Sequence, residues 1–99
     1  MKTKIDILHW LLDQFGTEIR TIHELKCHPE PFEALRNKTK RHEVRRCDRD
    51  FKVADWLFLR EFDPQAEAYT GRHLFREITY ISAAGTYGLS DDLCVLSVR

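Results

Sequence analysis

A lysine, a glutamate and an arginine stand close together near the middle of the chain. Lys40, Glu43 and Arg45 place an amine, a carboxylate and a guanidinium within six residues. Residues two apart on a β-strand face the same side, so we expect Glu43 and Arg45 to project together and Val44 to point to the core. Lys40 would lie at the turn into that strand and reach the same cleft. Such a set suits a polar, partly anionic ligand, a nucleotide or an RNA segment.

In this interpretation Lys40 and Arg45 contact phosphate, and Glu43 accepts hydrogen bonds from a base amine or holds Arg45 in place. The alternative is a solvated strand face on which Glu43 and Arg45 pair weakly.

Positive charge is concentrated around these residues although the net charge of the chain is zero. Residues 36–52 carry eight basic and three acidic groups, a local excess of five. Arg41 and Arg46 therefore join the candidate ligand-binding residues, since a basic surface attracts phosphates with salt-sensitive affinity. Phe51, Trp56 and Tyr69 are nearby aromatic candidates for stacking a base.

Residues 38–45, KTKRHEVR, resemble the G-x-K-x-x-E-x-R signature of ASCH domains, which are small β-barrels of the PUA-like superfamily. The stretches HELKCHPEPF (23–32), DRDFKVAD (48–55), YGL (87–89) and LCVLS (93–97) resemble a short ASCH-like group of bacterial and phage proteins. The resemblance covers residues 21–99. Two glycines of the pattern are replaced, by Lys38 and Ala54, and we expect mild strain where those turns need a positive φ.

The resemblance and the residue patterns together predict an α+β fold, a PUA-like (ASCH) mixed β-barrel of about five strands. Strands are predicted at 21–26, 42–46, 56–62, 73–81 and 93–98. A short internal helix is expected to open at Pro31 and to run to residue 37.

Residues 1–20 form a predicted amphipathic helical extension, and residues 21–99 the ASCH/PUA-like domain. The helix is predicted over residues 5–15, with an apolar stripe of Ile5, Leu8, Leu12 and Phe15. We expect this stripe to pack on the barrel, and a protein partner is the alternative occupant.

Several functional classes are disfavoured by what the sequence lacks. No apolar run approaches the roughly 20 residues that span a membrane, and no cleavable leader is evident, so we expect no membrane partner and a cytoplasmic location. Three cysteines at unrelated spacings indicate free thiols. His23, Cys27 and His28 match no zinc-ligand spacing, so no metal is expected. Phosphate-loop and dinucleotide glycine motifs are missing, and no cofactor is expected.

Two other functions remain open at this stage. Some small bacterial ASCH proteins are amidohydrolases that deacylate N4-acetylcytidine, and the resemblance implies Lys40 as the general base and Glu43 as the group that holds or protonates the leaving amine. These enzymes have a threonine where this chain has Glu43, and their later glutamate has no evident counterpart in residues 82–92. The other alternative is a phage-type accessory protein that acts through protein–protein interaction.

Overall fold

Five strands and one helix make up the part of the chain that the computed structural model describes, residues 20–99. In chain order they are β1 (Ile22–Cys27), α1 (Pro29–Arg36), β2 (His42–Arg46), β3 (Trp56–Asp63), β4 (Ala68–Ser82) and β5 (Leu93–Val98). About half of the described residues are in strands. No helix within residues 20–99 is long and apolar enough to cross a membrane.

Helix α1 begins two residues earlier than predicted, at Pro29. A proline fits the first helical turn because its missing N–H would have no partner there. The helix buries Phe32 and Leu35, one turn apart, at 1% and 0% exposure. After the helix, Lys38 adopts a φ of 67°. This left-handed residue ends the helix and turns the chain toward β2.

The strands form one open mixed sheet in the order β1-β3-β4-β5-β2. β1 pairs with β3 in parallel, and the remaining neighbours are antiparallel. The long strand β4 pairs with β3 over residues 68–77 and with β5 over residues 78–82. It begins five residues earlier than predicted because the hairpin after β3 is short.

The predicted barrel and its α+β class are therefore wrong. A barrel needs its first and last strands to pair, whereas β1 and β2 are the two free edges of this sheet. Side chains from the β2 side reach the β1 edge instead: Arg45 Nη2 donates to the Lys26 carbonyl at 2.7 Å, and Arg49 Nη1 to the Glu24 carbonyl at 3.4 Å. The structure is mostly sheet with one short helix. The helix predicted at residues 5–15 lies outside the described residues.

One face of the sheet and helix α1 enclose the core. Along β3 every second residue is buried, and the same alternation holds on β1 and β5. The core consists of Leu25, Cys27, Phe32, Leu35, Leu57, Leu59, Ile78, Cys94, Leu96 and Val98. Glu43, Glu61, His23 and Asp55 are buried with these apolar side chains, so the core has a polar margin.

Both residues that replace pattern glycines occupy left-handed conformations. Lys38 has a φ of 67° and Ala54 a φ of 79°. The Ala54 amide donates to the Ile78 carbonyl at 2.8 Å, which fixes the turn that leads into β3. A side chain makes this conformation costly by roughly 1 to 2 kcal/mol, so the turn is formed at the expense of strain.

Replacing Ala54 with glycine should therefore stabilise the protein. We expect Ala54→Gly to raise the free energy of unfolding by about 1 kcal/mol and the melting temperature by about 4 to 8 °C. Urea and thermal denaturation measure both. Ala84→Gly is the matched control because Ala84 is absent from the residues with positive φ, and it should be neutral or destabilising. Equal effects of the two changes would contradict the strain at Ala54.

Candidate functional site

Lys40, Glu43 and Arg45 meet in one cluster, as the sequence predicted. Glu43 is 4% exposed. Its Oε1 accepts from Lys40 Nζ at 3.3 Å, and its Oε2 accepts from Arg45 Nε at 3.0 Å. Each carboxylate oxygen thus holds a different cation, and the two cationic side chains remain about a quarter exposed, at 26% and 23%. We call these three residues the Lys40–Glu43–Arg45 cluster.

Three elements position the cluster. Glu43 and Arg45 lie two apart on β2, and the chain enters β2 through a turn in which the Lys40 amide donates to the Ala34 carbonyl of α1 at 3.0 Å. Arg45 also reaches the Lys26 carbonyl of β1. The cluster therefore joins the end of α1, the start of β2 and the open edge of β1.

The direction predicted for β2 is wrong, because Glu43 and Arg45 face inward and Val44 faces outward. Glu43 is opposite Leu96 and Arg45 opposite Cys94 in the β2–β5 register, and both partners are buried. Val44 is 49% exposed. The apolar residue was expected in the core, but two ion pairs let the polar residues take the inner face instead.

Arg41 and Arg46 stay outside the cluster. Arg41 is exposed, and its Nε donates to the Lys38 carbonyl at 3.3 Å. Arg46 is on the outer side of β2 and lies 3.9 Å from Asp92. Neither side chain contacts Glu43.

Sequence reasoning missed two buried groups beside the cluster, Cys27 and Glu61. They are opposite each other in the β1–β3 register and are 3% and 5% exposed. The Thr70 hydroxyl donates to Glu61 Oε1 at 2.7 Å. Glu61 follows Leu57 and Leu59 at two-residue spacing, so its inward direction was readable from the strand period.

Burial and the neighbouring charges shift the pKa of the Cys27 thiol. Burial is the main cause that raises its pKa to about 11, and the Glu43 carboxylate raises it further, whereas Arg45 and Lys40 oppose the shift. Burial also raises the pKa of Cys94 to about 12, with a hydrogen bond to Cys47 as the next cause. Both buried thiols are therefore protonated at neutral pH and are poor nucleophiles.

A groove runs between the edges of β1 and β2, next to the cluster. Its volume is about 350 Å³, within the lower range of ligand pockets. Arg45, Arg46 and Arg49 line it against one carboxylate, Asp48. Leu25, Val44, Phe51 and Leu93 supply its apolar surface. Because Arg45 belongs to both features, the cluster and this edge groove form one continuous cationic region.

A buried pair of polar side chains on β1 and before β3 has a structural role. His23 Nε2 lies 2.8 Å from Asp55 Oδ2, and both residues are 5% exposed. Asp55 also accepts from the amides of Lys52 and Thr21, at 3.0 and 3.2 Å. The carboxylate thus holds the turn before β3. Within residues 20–99 no group of three His, Cys, Asp or Glu residues has a geometry suited to a metal ion.

The described part of the chain is thus a small mixed sheet with a cationic cluster at its open edge. The chain belongs to the family described as a domain of unknown function, DUF3850, whose model matches residues 22–98. No curated protein matches the chain. The family description assigns no activity.

Arg45 should contribute more stability than its neighbour on the strand. Arg45→Met removes the guanidinium from Glu43 and from the Lys26 carbonyl but keeps much of the side-chain length. We expect the free energy of unfolding to fall by about 2 kcal/mol, the scale of charge-assisted hydrogen bonds. Urea denaturation measures the change. Val44→Ala, at an exposed site, should change it by less than about 0.5 kcal/mol, and equal losses would show that the ion pairs contribute little.

The three thiols should differ in reactivity. Cys47 is exposed, whereas Cys27 and Cys94 are buried with raised pKa values. We expect iodoacetamide near neutral pH to label Cys47 alone, and peptide mass spectrometry locates the adduct. Lowering the pH should not bring Cys27 into reaction, since the thiol is already protonated at neutral pH. Rapid labelling of Cys27 in the folded protein would contradict its burial.

Proposed function

We propose that this domain binds RNA or a nucleotide, including a modified nucleobase, through the Lys40–Glu43–Arg45 cluster and the adjoining edge groove. The observation that carries the proposal is the buried Glu43 carboxylate, which contacts a different cation through each oxygen. A carboxylate at 4% exposure is costly unless it is paired. Here the pairing fixes an amine and a guanidinium side by side on a partly exposed rim.

The two cationic groups on this rim suit a phosphate group as ligand. Lys40 supplies a compact ammonium, and Arg45 a planar guanidinium whose Nη1 has no acceptor among the described residues. The edge groove adds Arg46 and Arg49, so an anionic ligand meets an excess of positive charge. Phe51 lines the same groove and offers an aromatic surface to a base. The resemblance to ASCH domains supports the same class of ligand.

A cytoplasmic location is part of the proposal. The described cysteines are free, and two of them are buried thiols without a disulfide partner. Free thiols of this kind suit a reducing compartment, where RNA and nucleotides are available.

The amidohydrolase alternative receives less support from the geometry. A general base presents a lone pair to its substrate, whereas Lys40 Nζ is the donor in its contact with Glu43. Buried Glu61 is a later glutamate, but its Oε1 accepts the Thr70 hydroxyl. We therefore propose binding rather than hydrolysis.

Two substitutions separate a positioned phosphate site from a merely basic surface. Glu43→Gln removes one negative charge and should strengthen binding if only net charge matters. In our proposal it weakens binding, because the two cations lose the carboxylate that orients them. Lys40→Ala should weaken binding by roughly 1 to 3 kcal/mol, the range of charge-assisted contacts. Fluorescence titration of short RNAs at about 50 and 200 mM salt gives the affinities.

Lys52→Ala is the matched control, since it removes the same charge from the basic segment outside the cluster. Lys52 is 70% exposed and pairs with Asp50. Equal losses for Lys40→Ala and Lys52→Ala, together with tighter binding by Glu43→Gln, would contradict the proposed site. No binding of RNA or of nucleoside monophosphates at low salt would reject the proposed function.

A further inference from the structure

The outer face of the sheet carries aromatic rings that the core does not use. Phe58 and Phe62 on β3 point away from the buried side, in register with Phe75 and Tyr69 of β4. Phe75 is 47% and Tyr69 43% exposed. His73 lies between them, opposite Arg60. We call Phe58, Phe62, Tyr69, His73, Phe75 and Arg60 the aromatic face.

Neighbouring rings hold the exposed rings in place. Phe75 stacks on Phe58 with ring centroids 4.8 Å apart and an angle of 20° between the planes. His73 meets Phe58 edge-on at 5.3 Å. Tyr69 meets Phe62 edge-on at 5.2 Å. Because partners on the same two paired strands restrict these rings, a flat ligand that stacks on them orders few additional side-chain rotors.

Cations alternate with the rings. The Arg60 guanidinium lies 3.9 Å from the centre of the Tyr69 ring, and Lys26 Nζ lies 4.1 Å from the centre of the Phe62 ring. One carboxylate, Glu24, pairs with Arg60 at 3.2 Å. Lys26 has no carboxylate partner within the described part of the chain. The face therefore combines π surfaces with a small positive excess, which complements a polyanion that carries aromatic bases.

We propose that the aromatic face is a stacking surface for single-stranded nucleic acid. Phe75 and Tyr69 would each stack a base, and Lys26 and Arg60 would contact the phosphates between them. Phe75 and Tyr69 lie opposite Phe58 and Phe62, which are four residues apart on β3, about 13 Å at the rise of a strand. Bases stacked in a duplex are only 3.4 Å apart and present no free ring faces, so an extended single strand fits the face and a duplex does not.

The aromatic face lies on the opposite side of the sheet from Glu43. The inference rests on the proposed function only for the class of partner, nucleic acid. The two regions differ in physical origin. With two cations, Arg60 and the adjoining Lys26, the aromatic face contributes a shallow salt dependence, whereas the cluster and edge groove contribute a steeper one. Salt dependence therefore separates the two contributions.

The test uses the full chain and a fluorescein-labelled oligouridylate of about twelve nucleotides, alone and annealed to oligoadenylate. Phe75→Ala and Tyr69→Ala should each weaken single-strand binding about 5- to 150-fold and leave the salt slope unchanged. Phe75→Trp should retain affinity, while Phe75→Leu should lose it, because leucine keeps apolar volume without a π face. Tyr80→Ala is the control, since Tyr80 is 59% exposed on the same strand but lies outside the face.

Thermal unfolding confirms that each variant is folded. The inference is overturned if Phe75→Ala and Tyr69→Ala bind like Tyr80→Ala, if duplex binds as well as single strand, or if the changes alter only self-association. That last result would make the face a contact between copies. A loss with Lys40→Ala alone would leave the proposed function standing and remove this inference, whereas a loss with the aromatic variants alone would do the reverse.

Discussion

The open edge of the sheet depends on the hydrogen bonds of the Arg45 guanidinium. It extends from β2 to the Glu43 carboxylate and to the Lys26 carbonyl of β1. Strands β1 and β2 share no backbone ladder, and an unpaired edge exposes N–H and C=O groups that must find partners. A side chain satisfies one such carbonyl here, and Arg49 reaches a second. Arginine side chains, and not the backbone of a neighbouring strand, thus bond the β1 edge. The two edges therefore stay apart, and the edge groove lies between them.

Because the sheet is open, charged side chains occupy its margin. Had β1 and β2 paired, backbone hydrogen bonds would occupy the position at which Arg45 meets Lys26. The buried Glu43 is tolerated because Lys40 and Arg45 both pair with it, and Arg45 also lines the edge groove. Stability at this margin therefore depends on charges that a purely apolar core would exclude.

Much of the local structure could be predicted from the sequence. The strand over residues 42–46 coincides with β2, and that over 93–98 with β5, since alternation and turn residues are local signals. The meeting of Lys40 with Glu43 and Arg45 was also predictable from spacing alone. The direction of β2 was not, because a valine between charged residues favours the core until the ion pairs are known. Closure of the sheet was equally inaccessible, as it depends on which distant strands pair.

The two sides of the sheet differ in what holds their polar and aromatic side chains in place. On the inner margin, charge is held by a carboxylate that is itself buried, so altering the site also alters the fold. On the outer side, exposed rings such as Phe75 contribute little to the core, and their stacking on Phe58 is an interaction between neighbouring strands. A change in the aromatic face should therefore have a small effect on folding. For folding, the outer side is therefore the more tolerant of substitution, whereas Lys40, Glu43 and Arg45 are constrained by their buried ion pairs.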